Sequence, residues 1–296
     1  MRVTSSMMLR STLRDLSQGL SRLQETQTKL ASGKEITRPS ADPGGTSSAM
    51  GMRQDLRRAD QRLRSLNDAQ GWLETADVTL TSSLDSLGRA KEIAVRAANT
   101  GALGDPVARQ AMAAEIRSLR SEMLALANTN YGNRSIFNGT ASGAAYDPNG
   151  VYLGNSSSIV RDVAPSTSIA VNLTGPQVFG TSGGPVGDVF ETLDRMAAAI
   201  TAGDAAAMAT EHTNLDGFRS SIGAATVEIG TRAARLAEAK IRAEDGKLLL
   251  KTQLSEVEDV DVVEALITAK AQESSYQASL QVAAKILPPS LLDYLR

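Results

Sequence analysis

Few residues in this chain of 296 have the types and spacing that chemistry needs. The single histidine, His212, sits beside Glu211 in a polar, helix-patterned stretch, so any histidine-based metal site or Ser-His-Asp arrangement would have to pass through it. No motif surrounds it. Cysteine is absent, which removes disulfides, thiol nucleophiles and thiolate metal sites together. Gly180-Thr181-Ser182-Gly183-Gly184-Pro185 is glycine-rich but lacks the lysine and the spacing of a phosphate loop, so a connector is expected there. Glu256, Glu258, Asp259 and Asp261 offer oxygens to a hard cation, but acids beside a helix break are the usual capping and solvated groups. The Asn-x-Ser/Thr triplets at Asn133, Asn138, Asn155 and Asn172 lie in a stretch rich in glycine and serine and read as turn chemistry. The expectation is a protein that is not an enzyme, with no cofactor and no metal.

The strong pattern lies in the helices. Leu9, Leu13, Leu16, Leu20, Leu23 and Leu30 repeat at 4-3-4-3 spacing, with Gln27 at the one polar position, so residues 5–31 are expected to form a helix with one apolar seam. Near the other end, Val262, Leu266, Ala269, Tyr276, Leu280, Ala283 and Leu287 form a second seam, interrupted by Glu273. Pro288-Pro289 stops that helix, and an apolar, aromatic tail follows with Leu291, Leu292, Tyr294 and Leu295. A helix with one stripe cannot bury it alone. The two terminal helices are therefore expected to be mates and assembly surfaces, gaining full order only when the chain assembles.

Between them, Gly33, Pro39, Asp42 and Pro43 mark a break over residues 33–45, with Gly33 as a helix C-cap and Asp42-Pro43 as the cap and first position of the next helix. Leu56, Leu63, Leu66, Leu73, Leu80 and Leu87 then hold a heptad register that extends from 56 to 98. Asp105-Pro106 restarts the chain as a helix whose seam is Met112, Ile116, Leu119, Met123 and Leu126. From about 135 to 187, turn residues punctuate β-prone pieces at 151–153, 159–163 and 169–173. Helical pattern returns at about 186–201 and again from 204, where Leu236, Ala239, Ala243, Leu250, Leu254 and Val257 share a face. It ends at a second break with Asp259 and Asp261.

The implied fold is mainly α: an elongated out-and-back coiled-coil or helical-bundle rod with a small β-rich insertion. Its expected segments are 1–45 and 259–296 as the terminal assembly helices, 46–134 as an inner hairpin, 135–187 as the insert and 188–258 as returning inner helices. Only 3% of residues are aromatic, which suits thin helical bundles better than a compact enzyme core. Lys plus Arg (31) nearly balances Asp plus Glu (33), so the basic excess of a dedicated nucleic-acid binder is missing. No run approaches the ~20 apolar residues of a membrane span, and the first residues lack the apolar run of a secretory signal, so general secretory export is not expected.

The residues at the breaks carry a resemblance. Leu30-Ala31-Ser32-Gly33-Lys34-Glu35-Ile36-Thr37-Arg38-Pro39-Ser40-Ala41-Asp42-Pro43 resembles the signature of the bacterial flagellin family, with Glu35 where the family has Arg or Lys and Ala41 where it has Asp. Asn67-Asp68-Ala69, the run 91–99, Phe137-Asn138-Gly139-Thr140 and Val257-Glu258-Asp259-Val260-Asp261 are similar to further family motifs. The opening Met1-Arg2-Val3-Thr4-Ser5-Ser6-Met7-Met8, the turn Val151-Tyr152-Leu153-Gly154-Asn155 and the closing Ser290-Leu291-Leu292-Asp293-Tyr294-Leu295 are most like the branch of that family that joins hook to filament. The resemblance implies a structural subunit exported through the flagellar type III apparatus to the cell exterior. It also implies partners: hook-associated protein 1, flagellin, further copies of the chain in a junction ring, and an export chaperone. The alternative within the family is filament flagellin itself.

Overall fold

In the computed structural model, residues 5–99, 105–164 and 167–286 are described. The described elements run α1 (Ser5–Ser32), α2 (Pro43–Asn99), α3 (Pro106–Ala127), β1 (Asn130–Tyr131), β2 (Arg134–Ser135), β3 (Val160–Ala164), β4 (Thr167–Ala170), α4 (Gly175–Phe179), α5 (Val189–Ala202), α6 (Ala205–Glu258) and α7 (Val262–Ile286). The protein is mainly α, with two small antiparallel ladders, β1 with β2 and β3 with β4. The chain divides into two compact units, one of residues 1–59 with 246–296 and one of residues 60–245, so α2 and α6 each contribute to both.

Helix ends follow local chemistry. The Asp105 carboxylate accepts from the Val107 N–H at 2.8 Å ahead of Pro106, and the Asp188 carboxylate accepts from the Glu191 N–H. Gly203 closes α5 in the left-handed region at φ 77°, which a side chain would make costly. The expected start of α5 near 186 thus moves to Val189, because Asp188 is the residue able to cap.

In the unit of residues 60–245 the core joins α2, α3, α5 and α6. Leu66, Leu73, Leu80 and Leu87 on α2 are buried as their register predicts. A second row, Ala69, Ala76, Ser83, Ala90 and Ala97, is buried beside it. The expectation of one heptad seam on this helix is corrected: a helix inside a bundle needs an apolar stripe at least 100° wide, and small residues supply the extra width. The buried Ser83 hydroxyl donates back to the Thr79 carbonyl at 2.8 Å, so the row carries no unsatisfied hydroxyl there. Leu236 and Ala239 of α6 also face the core.

The insert departs from expectation more. The piece at 151–153 forms no strand; Tyr152 makes only an isolated bridge to Tyr146. The other two pieces become the β3–β4 hairpin, Val160 opposite Ala170, and Arg232 of α6 holds its exit by donating to the carbonyls of Ala170 and Asn172. The short helix α4 and the β1–β2 ladder had no expectation. The insert's packing is aromatic: three of the four phenylalanines of the sequence, Phe137, Phe179 and Phe190, gather with Tyr146, with centroids of Phe137–Phe179 and Tyr146–Phe190 each 5.1 Å apart. Burial pushes the Tyr146 phenol well above its usual range, so it stays neutral at any physiological pH.

Candidate functional site

None of the residues considered first for chemistry converges on a site. His212 lies half-buried on α6, 3.8 Å from Asp216. The four carboxylates share no common centre. Glu258 and Asp259 are taken up by the cations Lys34 and Arg53, Asp261 caps α7 through the N–H groups of Val263 and Glu264, and Glu256 is exposed. Among the described residues no group of acids, histidines or cysteines could hold a metal. The amides of Asn138, Asn155 and Asn172 serve turns inside the insert: Asn172 accepts from the Ile159 N–H at 2.7 Å, and Asn155 bonds Thr140. Ser182, in the glycine-rich connector, donates to Glu191 at 2.6 Å.

The terminal helices do come together, with α1 packed on α7. Their seam is offset from the one the leucines suggest. On α1 the half-buried or buried row is Thr12, Leu16, Gly19, Leu23, Thr26 and Leu30. On α7 it is Ala265, Ala269, Gln272, Tyr276 and Ala283. Tyr276 lies over Gly19, and Thr26 donates to Gln272 at 2.9 Å. Of the expected seams, Leu16, Leu23, Leu30, Ala269, Tyr276 and Ala283 are in this pairing. Leu13 (58% exposed) and Leu20 (39%) are outside it, as are Leu266 (61%) and Leu280. The expected seams are therefore kept in part: Leu16, Leu23 and Leu30 of α1 and Ala269, Tyr276 and Ala283 of α7 pair, with Thr12, Gly19, Thr26, Ala265 and Gln272 completing the contact, while Leu13, Leu20, Val262, Leu266 and Leu280 are turned out of it. On α7 the outward aliphatics Val262, Val263, Leu266 and Ile267 are contiguous over the first two turns. The side chain of Leu9, and Leu287, Leu291, Leu292, Tyr294 and Leu295 with the Pro288-Pro289 stop, lie outside the described residues.

At the base of this pair the two breaks are stitched together. Gly33, at φ 68°, ends α1, and its carbonyl accepts from the Val260 N–H at 3.1 Å, while the Glu35 N–H donates to the Glu258 carbonyl at 2.7 Å. Lys34 pairs with Asp259 at 2.5 Å and Glu258 at 3.4 Å, and Arg53 bonds the nearly buried Glu258 at 2.8 Å. Asp42 accepts from the Gly45 N–H at the start of α2, where Pro43 fills the first position; Pro39 stands exposed in the turn before it. Glu35, the departure from the family motif, pairs with Lys29 at 2.6 Å. The motif residues thus form a clasp between two remote parts of the chain.

The clasp is charge-sensitive. The Lys34 ammonium, with help from the Ser255 hydroxyl, holds the Asp259 carboxyl below its usual range, and the Asp259 carboxylate in turn raises Lys34. Asp259 therefore contributes stability above its unfolded value, about 3.9, and loses it as pH falls through the lower folded value; Lys34 contributes below about 10.4 and loses it as pH rises through the raised one. An NMR titration following the Val260 amide should show a midpoint below about 3.9. Lys34→Met should raise that midpoint, and an unchanged midpoint would show that the pair is not formed in solution.

Residues 3–142 match the bacterial flagellin N-terminal helical region. The chain's relatives divide by coverage. It is 28% identical to flagellar hook-associated protein 3 of Escherichia coli (strain K12) over 94% of this chain and 95% of that one. It is 29% identical to flagellin of Bacillus subtilis (strain 168) over 47% of this chain and 46% of that one. A solved flagellar hook-associated protein from Vibrio parahaemolyticus has the same fold, with a TM-score of 0.68 at 21% identity over 74% of this chain and all of that one.

Proposed function

We propose that this chain is a structural subunit of the bacterial flagellum, not an enzyme, and that it joins the hook to the flagellin filament. The observation that carries the reading is the division of labour on the terminal helices: their mutual seam takes Leu16, Leu23, Leu30 and Tyr276 with small and polar residues between them, and the other large aliphatics, Leu13, Leu20, Val262, Val263, Leu266 and Ile267, face outward. A monomer gains nothing from exposing Val262, Val263, Leu266 and Ile267 together, whereas a subunit packed among others buries them. Similarity to hook-associated protein 3 from end to end, against half-length similarity to flagellin, favours the junction over the filament itself.

In this reading the partners are hook-associated protein 1 on the hook side, flagellin on the filament side and further copies of the chain alongside, with an export chaperone before assembly. The chain reaches the cell exterior through the flagellar export apparatus. The hinge and cap residues Gly33, Pro39, Asp42, Pro43, Asp259 and Asp261 hold the assembly helices on the rest of the chain.

Deleting the gene in the flagellated host tests this. The expected result is intact hooks without filaments and unpolymerised flagellin in the medium, restored by the wild-type gene. Normal filaments in the deletion strain would defeat the junction role, and long homopolymers of the purified chain would favour the flagellin alternative.

A further inference from the structure

Beside the clasp lies an open cleft of about 230 Å³. Ile36, Pro39, Ala49 and Met50 supply its apolar wall, and Lys34, Arg38, Arg53 and Glu258 its charge. Met50 is 63% exposed there, an unusual position for a long apolar side chain that nothing covers within the unit. The volume is below the roughly 300 Å³ at which small-molecule pockets begin, so the cleft suits one or two side chains of a peptide rather than a metabolite. Its electrostatics are unbalanced. Lys34 is engaged by Asp259 and Glu258, and Arg53 by Glu258, while Arg38 has no carboxylate partner among the described residues. The vacant half of the cleft thus asks for an aliphatic group next to an anion.

One segment outside the described residues has that chemistry. Residues 1–4, 100–104 and 165–166 contain no acid, whereas Leu291-Leu292-Asp293-Tyr294-Leu295 sets a carboxylate between large apolar side chains. It cannot come from the same chain. The clasp adjoins the start of α7, and α7 spans about 36 Å from Val262 to Ile286 at 1.5 Å per residue. Asp293 lies seven residues past Ile286, and seven extended residues reach back only about 24 Å.

We propose that this cleft receives the 291–295 segment of a second copy of the chain, a leucine entering over Ile36, Ala49 and Met50 while Asp293 pairs with Arg38. The inference rests on the reading that the chain assembles with copies of itself, and it goes further by naming where the tail docks. It makes the break a contact point as well as a hinge, so that the apolar tail of one subunit is anchored at the clasp of the next.

The test uses purified full-length protein at low concentration and a fluorescein-labelled synthetic peptide of residues 290–296. Saturable binding is expected, weakened at least tenfold by Arg38→Glu or by Met50→Asp, both at exposed positions outside the clasp's ion pairs. The peptide carrying Asp293→Lys should bind wild type poorly and regain affinity for the Arg38→Glu protein. Equal binding of a scrambled peptide, or indifference to both substitutions, overturns the proposal. Because the chain has no cysteine, pools carrying Met50→Cys and Leu292→Cys can be mixed and oxidised. A mixed disulfide dimer supports docking between copies. A chain carrying both substitutions that closes on itself as a monomer overturns the second-copy assignment. All readouts are on purified protein, so a negative result leaves the junction role standing, and the gene deletion judges that role separately.

Discussion

Replacing both Leu266 and Ile267 with aspartate should leave the subunit folded and remove it from flagella. Both side chains are more than 60% exposed, so the change in unfolding free energy should be small, about 0.5 kcal/mol per site or less. In an assembled wall the same side chains are covered. Each contributes about 1.5–3 kcal/mol when fully buried. Losing two, at about 1.4 kcal/mol per tenfold, weakens the contact by roughly a hundredfold to ten-thousandfold, before the cost of burying carboxylates is added. The measurement is an immunoblot of sheared flagella for the variant subunit, beside a urea unfolding curve of the purified protein. The conservative pair Leu266→Met and Ile267→Leu should incorporate normally. Incorporation of the double aspartate variant at wild-type level would show that this face meets solvent in the flagellum and would remove the main support for the assembly surface.

The second large effect is on stability. Phe190 is fully buried at the start of α5, its ring 5.1 Å from Tyr146 and 6.0 Å from Phe179. Gly150 passes so close that an added Cβ would meet the Phe190 Cβ at 3.0 Å. Little in this cluster can collapse into a void, because its walls are rigid rings and a turn backbone already at φ 93°. Phe190→Ala should therefore cost about 3–5 kcal/mol, read as a lowered urea midpoint with an unchanged slope. A loss under about 1 kcal/mol would mean that the ring cluster is loosely packed. Since the sequence is 3% aromatic, this one cluster holds much of the chain's capacity for large-ring packing, and through Phe190 it ties α5 to the insert.

How much of this was legible differs by scale. The helix starts at Asp42-Pro43 and Asp105-Pro106 and the stop at Gly33 could be read directly, because a cap acts on peptide groups within one turn of itself. The leucine row on α2 was legible for the same reason: residues seven apart share a face wherever the helix lies. The alanine and serine row beside it was not, since Ala69, Ala76, Ser83, Ala90 and Ala97 are neither clearly apolar nor clearly polar, and only a neighbouring helix makes them interior. In the insert, β-propensity at 151–153 misled, because the chain there is held by turns around Asp147, whose carboxylate takes the N–H groups of Asn149 and Val151.

The candidate site shows the same division. Sequence determined that both ends of this chain are helices with more aliphatic surface than either can bury, and that breaks near residues 33–45 and 256–261 separate them from the rest. Periodicity and caps are local properties, and composition alone excludes thiol and most histidine chemistry. Only the tertiary structure decided which face is spent inside the chain and which is left for a partner. Pairing α1 with α7 covers Leu16, Leu23 and Leu30 together with the glycine, threonine and alanine positions beside them, and leaves Leu13, Leu20, Leu266 and Ile267 outward. It also decided that Lys34 meets Glu258 and Asp259, more than two hundred residues further along the chain, as one clasp, because an ion pair depends on the distance in space that folding sets.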